Sequence, residues 1–136
     1  MSESSDLIMK YQEQAINTMS RGELIIRLYD ELIKNLKYAS IFFKKKNTAA
    51  AQKCTGKCRS ILNYLIVILD RKYELSQTLE RLYTYMVGQI IQVNVSGDAS
   101  VLDKIVPKVE ELRDTWAQAE KKLRSQPGEK AAGRKT

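Results

Sequence analysis

Cys54 and Cys58 stand four residues apart, one turn of a helix, and a thiolate metal site is the first chemistry such a pair suggests. Tetrahedral zinc takes four ligands, and this chain of 136 residues has two cysteines and no histidine to complete the set. The missing histidine also removes the commonest general base. On a regular helix the two thiols are poorly aimed for a disulfide, so they read as small apolar spacers, of the kind kept reduced inside a cell. Asp30 and Glu31 are adjacent, point to different sides of a helix and do not converge as an acid/base pair. Gly56-Lys57 imitates the end of a phosphate-binding loop, but Cys58 replaces the required Ser or Thr and Ala51 the earlier glycine. These residue types predict neither an enzyme nor a bound cofactor.

What remains is helix. Ser20 and Glu23 have the spacing of a capping box, which starts a helix at Ser20. Leu24, Leu28, Leu32, Leu36 and Phe43, with Ile25, Tyr29, Ile33 and Ser40 beside them, carry it to about Lys45. Asn47-Thr48 breaks and re-caps the chain into a second helix bearing Ala50, Cys54, Cys58, Ile61, Leu62, Leu65, Ile68 and Leu69. Ser76 is the expected cap of a third, with Leu79, Leu82, Tyr83, Met86, Ile90 and Val93, which Asn94 to Gly97 ends. Asp98 caps a fourth that reaches Leu123, with a kink expected at Pro107, where one backbone hydrogen bond is lost. Four such helices on short connections predict an all-α, antiparallel up-down bundle over residues 20–124. Residues 1–19 form an apolar arm too short for a core of its own, and residues 125–136, with nothing aliphatic larger than alanine, are expected to be a disordered basic tail.

Charge and hydropathy narrow the function classes. The net charge of +7 is spread along the chain, and only Lys44-Lys45-Lys46 forms a cluster, at a predicted helix end where cations favour the dipole. A nucleic-acid partner, which would need a concentrated basic face, is not expected. The acidic, polar start Met1 to Asp6 is unlike a signal peptide, and the longest aliphatic run, Leu65 to Leu69, is too short to insert in a membrane. Leu24 beside Ile25, Leu32 beside Ile33 and Ile90 beside Ile91 make apolar stripes wider than one seam needs. That surplus predicts an outer groove for a partner's amphipathic helix, or a homodimer face in a structural, self-associating protein.

The ordered set Tyr11-Gln12, Ile16-Asn17-Thr18, Gly22-Glu23-Leu24, Leu28-Tyr29-Asp30, Glu74-Leu75-Ser76, Leu82-Tyr83-Thr84-Tyr85-Met86, Asn94, Asp98 and Leu112-Arg113-Asp114-Thr115-Trp116 resembles the flagellar secretion chaperone family FliS. The likeness runs from Tyr11 to Ala119. Arg21 stands where the family often has proline, Glu31 where it often has glycine, and Val93 where alanine is usual. The resemblance implies a cytoplasmic export chaperone that binds the disordered C-terminal segment of flagellin, prevents premature polymerisation and assists delivery to the flagellar type III export gate. It implies that the client turns helical as it wraps the bundle, and that the tyrosine-bearing N-terminal segment can occupy part of the groove. The residues expected to form this groove and its cap are Ile8, Tyr11, Gln12, Ile16, Asn17, Leu28, Tyr29, Ile33, Tyr83, Met86, Ile90 and Asn94.

Overall fold

The computed structural model describes residues 20–124, which form α1 (Arg21–Lys44), α2 (Thr48–Val67), α3 (Leu75–Ser96) and α4 (Ser100–Arg124). The expected arm and tail lie outside the described residues, and with the arm go Ile8, Tyr11, Gln12, Ile16 and Asn17. Each helix packs on its two neighbours in a ring, and the backbones of the diagonal pairs stay apart. The α1–α2 and α1–α4 sides are extensively packed, whereas α3 meets α4 over a much thinner side.

Local sequence sets each boundary. Ser20 Oγ accepts from the Glu23 amide at 3.2 Å, which caps α1 as the capping-box spacing predicts. At the other end Lys46 turns left-handed, with φ at 62°, so that the Asn47 amide can reach the Phe42 carbonyl at 2.9 Å and close the last turn. Asn47 then caps α2 by accepting from the Ala50 amide at 3.2 Å. Gly97, with φ at 73°, ends α3 in a conformation that glycine adopts without strain. Asp98 accepts from the Ser100 amide and hydroxyl, contacts that hold its carboxyl below the usual range.

The start of α3 corrects one expectation. Glu74, not Ser76, occupies the cap position and makes no side-chain cap hydrogen bond; Ser76 lies inside the first turn and is buried. The chain is already turning before Ser76, because the Tyr73 amide donates to the Asp70 carbonyl and the Ser76 amide to the Tyr73 carbonyl. The helix thus enters two residues early. Pro107 is exposed and α4 runs unbroken through it.

The core is a leucine ladder met from three sides. Leu24, Leu28, Leu32 and Leu36 repeat every fourth residue on α1 and are buried, as are Ile61, Leu62 and Leu65 of α2, Leu79, Met86, Ile90 and Val93 of α3, and Leu102, Ile105 and Val109 of α4. Each large side chain so buried contributes about 1.5–3 kcal/mol of hydrophobic stabilisation before entropy is set against it. Cys58 is in this core and Cys54 at its margin, both free thiols, and burial pushes both pKa values up, away from the thiolate a nucleophile or metal ligand requires.

Where the ladder reaches residue 40 its chemistry changes. Ser40 is buried and donates to Asp103 Oδ1 at 2.6 Å, while Lys44 holds the other carboxylate oxygen at 3.0 Å. Further along the same seam Lys37 pairs with Glu110 at 3.4 Å and Arg113 with Asp30 at 2.8 Å. Exposed pairs of this kind add little stability each, about 0–1 kcal/mol, but together they fix the antiparallel register of α1 on α4. The Ser40 hydroxyl, then Lys44, hold the Asp103 carboxyl below the ordinary carboxylate range. A depressed folded-state pKa adds stability that is present above the unfolded value and lost as pH falls through the folded one. Ser40→Ala should therefore lower the thermal midpoint at pH 7, and the gap from wild type should close as the solution is acidified below the usual carboxylate range. A gap that ignores pH in calorimetric scans would mean that Ser40 acts by packing alone.

Candidate functional site

The described bundle offers open apolar surface. No cluster of metal-ligating side chains occurs among the described residues, and no described helix is long and apolar enough to cross a membrane. Much of the open surface lies around α3, with Tyr38 and Ile41 of α1 and Val67 of α2 exposed elsewhere. On the α4 side of α3, where the two helices part, a cleft of about 390 Å³ is lined by Tyr85, Met86, Gln89, Val101, Lys104, Ile105 and Lys108. The Lys108 ammonium sits 5.9 Å above the Tyr85 ring, a cation–π contact at the cleft mouth. On the opposite flank and on the crest of the same helix, Ile91 is 47% exposed and Val95 87%.

A second cleft, of about 210 Å³, opens at the end of the bundle where α1 begins and α2 ends. Ile25, Leu65, Ile68 and Leu69 line its side, with Tyr83 and Trp116 at its base and Tyr73 at its lip. Arg21 donates from its guanidinium to the Ile68 carbonyl and so ties the first residue of α1 to the end of α2. Ser20, besides capping α1, donates to Glu120 Oε1 at 2.8 Å. That carboxylate also lies against Gly22, where a Cβ would overlap it. The entry to α1 is thereby anchored to both neighbouring helices.

Beneath the cleft the hydroxyls of Tyr29 and Tyr83 share a hydrogen bond. Burial pushes both phenols above their ordinary pKa, so both are neutral, and the pair joins α1 to α3 through the centre of the bundle.

A model of the family described as flagellar protein FliS matches residues 4–123. The chain belongs to the FliS family. FliS relatives named flagellar secretion chaperone FliS include that of Bacillus subtilis, 30% identical over 80% of this chain and 82% of its own length. The Escherichia coli FliS is 31% identical over 79% of this chain and 81% of its own length, and the Salmonella typhimurium FliS 27% identical over 78% and 81%. The match spans all four helices, so the family resemblance and the all-α bundle read from the sequence both hold.

Within this FliS bundle the anticipated groove residues take different stations. Leu28, Tyr29, Tyr83, Met86 and Ile90 are buried, each 2% exposed or less, and so belong to the core. The physical reason is the helical period: these positions share the inward face of α1 or α3, and only Tyr83 and Met86 also border a cleft. Ile33 is half-buried and packs on the core from outside. Asn94 is half-buried and accepts from Thr55 Oγ1 at 2.8 Å, which makes it a tie between α3 and α2. The exposed or cleft-lining residues that the sequence reading did not name include Tyr85, Ile91, Val101, Lys104 and Lys108, each one position away from a core residue, and Val95 on the crest of α3. The doubling Ile90-Ile91 was their signal in the sequence, and the exposed partner is Ile91.

The tyrosine pair makes a stability prediction. Tyr29→Phe removes one hydroxyl and leaves that of Tyr83 buried without its partner, so it should cost about 1–3 kcal/mol in urea unfolding. Adding Tyr83→Phe should cost less than the sum of the two single changes. Strictly additive costs would show that the hydroxyls do not cooperate.

Proposed function

We propose that this FliS chain is a cytoplasmic, non-enzymatic export chaperone that binds the disordered C-terminal segment of flagellin. By doing so it keeps the filament protein from polymerising prematurely and assists its delivery to the flagellar type III export apparatus. The observation that carries the reading is the apolar surface left on and beside α3 in a chain whose family match spans the whole bundle.

The physics of such a site is that of coupled folding and binding. A disordered tail loses conformational entropy when it orders, and burial of the apolar face of each newly formed turn offsets the loss at about 25 cal/mol per Å². Tyr85, Ile91 and Val95 give that face something to cover, and the α3–α4 cleft receives side chains that reach deeper. The rigid α1–α4 seam lets one side of the bundle stay unpaired without loss of the fold. In this reading the arm, with Ile8, Tyr11, Gln12, Ile16 and Asn17, covers part of the same surface before the client arrives and lowers apparent affinity by the fraction of time it is closed.

Titration calorimetry of the full chain with a flagellin C-terminal peptide tests the reading. Saturable binding with a negative heat-capacity change is expected. Ile91→Asp and Tyr85→Asp should each weaken it about ten-fold, the worth of a small lost apolar contact, while leaving the thermal midpoint within a few degrees of wild type. Removal of residues 1–17 should strengthen binding. A chain that self-associates and ignores the peptide would overturn the proposal, and an affinity unmoved by the truncation would remove the arm from it.

A further inference from the structure

The α2–α3 side of the bundle holds a cation that nothing described in the chain answers. Arg59, midway along α2, is partly buried, and its Nε is sealed from solvent without a hydrogen-bond partner. Several other described cations that face a neighbouring element have acids to meet: Lys37 with Glu110, Lys44 with Asp103, Arg113 with Asp30 and Arg71 with Glu80. The sealed Nε holds the guanidinium in place, and its terminal nitrogens have no described acid opposite them, so an acceptor for them comes from outside the described bundle.

Register locates it. Thr55 near the start of α2 bonds Asn94 near the end of α3, and a short connection joins the opposite ends, so α2 runs antiparallel to α3. One turn on from Thr55 is Arg59, and just under one turn back from Asn94 is Ile91. Arg59 is therefore level with the exposed Ile91 on the same flank, with Val87 one turn further along. The flank is open: a Cβ built on Gly56 of α2 or on Gly88 of α3 meets nothing within 4 Å. It also lacks any acid, since α2 contains no Asp or Glu and α3 none but Glu80, which Arg71 holds.

We propose that this flank seats one helical turn of the bound client, with a client side-chain carboxylate paired to Arg59 and the client's apolar face on Val87 and Ile91. The inference rests on the client-binding reading above and adds a chemical requirement to it. Apolar contact alone lets an amphipathic helix slide by a turn. A carboxylate that must reach the guanidinium fork, whose two terminal nitrogens present parallel donors, fixes which turn lies opposite Ile91. Arg59 is thus a specificity-determining residue that selects an acidic position in the client.

A coupling experiment decides it. Flagellin C-terminal peptides in which each Asp or Glu is replaced in turn by its amide are titrated calorimetrically into the full wild-type chain and into Arg59→Gln. One replacement should weaken wild-type binding about ten-fold, a usual coupling for a charge-assisted bidentate pair, and should have no further effect on Arg59→Gln. Arg59→Lys, which keeps charge and stem but loses the fork, should recover only part of the affinity, and it supplies the comparison if Arg59→Gln does not fold. Equal losses in wild type and variant for every replacement would overturn the pairing and leave the chaperone reading intact. A wild-type chain that binds no version of the peptide would overturn both.

Discussion

The architecture depends on α1, whose buried leucine ladder is shared by two neighbours at once. Leu24, Leu28, Leu32 and Leu36 face inward, and α1 packs extensively on α2 and on α4. The seam with α4 is closed by Ser20–Glu120, Asp30–Arg113, Lys37–Glu110 and Ser40–Asp103, which run its length. Three helices are thereby held without relying on the fourth. The helix α3 can then sit farther from α4, leaving a cleft and an apolar flank that a symmetrically packed bundle would bury.

That asymmetry links fold to function. A four-helix bundle that spends all its apolar surface internally has nothing to offer a disordered partner. Here the deeply buried side chains of α3, from Leu79 to Val93, secure it to the core, while Tyr85, Ile91 and Val95 remain outside. The charge pattern follows the same division. Interhelical ion pairs concentrate on the α1–α4 side, and the long middle of the α2–α3 side has Arg59 as its cation and no acid. One side of the molecule is internally complete and the other is not.

Much of the bundle was legible in the sequence because its signals are local. Ser20 with Glu23, Asn47 and Gly97 mark ends through hydrogen bonds or backbone conformations confined to a few residues. Ser76 misled because the turn from Asp70 to Tyr73 starts the helix early, and a turn's geometry overrides a capping preference. The groove was less legible for a related reason. Periodicity assigns Ile90 and Ile91 to one broad stripe but cannot say which is inside, since that depends on how α3 is rotated against its neighbours. Burial chose Ile90 for the core, and with it Leu28, Tyr29, Tyr83 and Met86. Arg59 left no trace in the sequence, because an arginine on a helix is ordinary until its neighbours are known to lack an acid.

The central claim is that the client lies along α3 while the α1–α4 seam stays as it is. Amide hydrogen exchange of the full chain, with and without a saturating flagellin C-terminal segment, tests this most directly. The account predicts new protection through residues 81–96, with smaller gains in the parts of α2 and α4 that flank them and no change through residues 27–43. Protection gained along α1, with α3 exchanging as in the free protein, would contradict it.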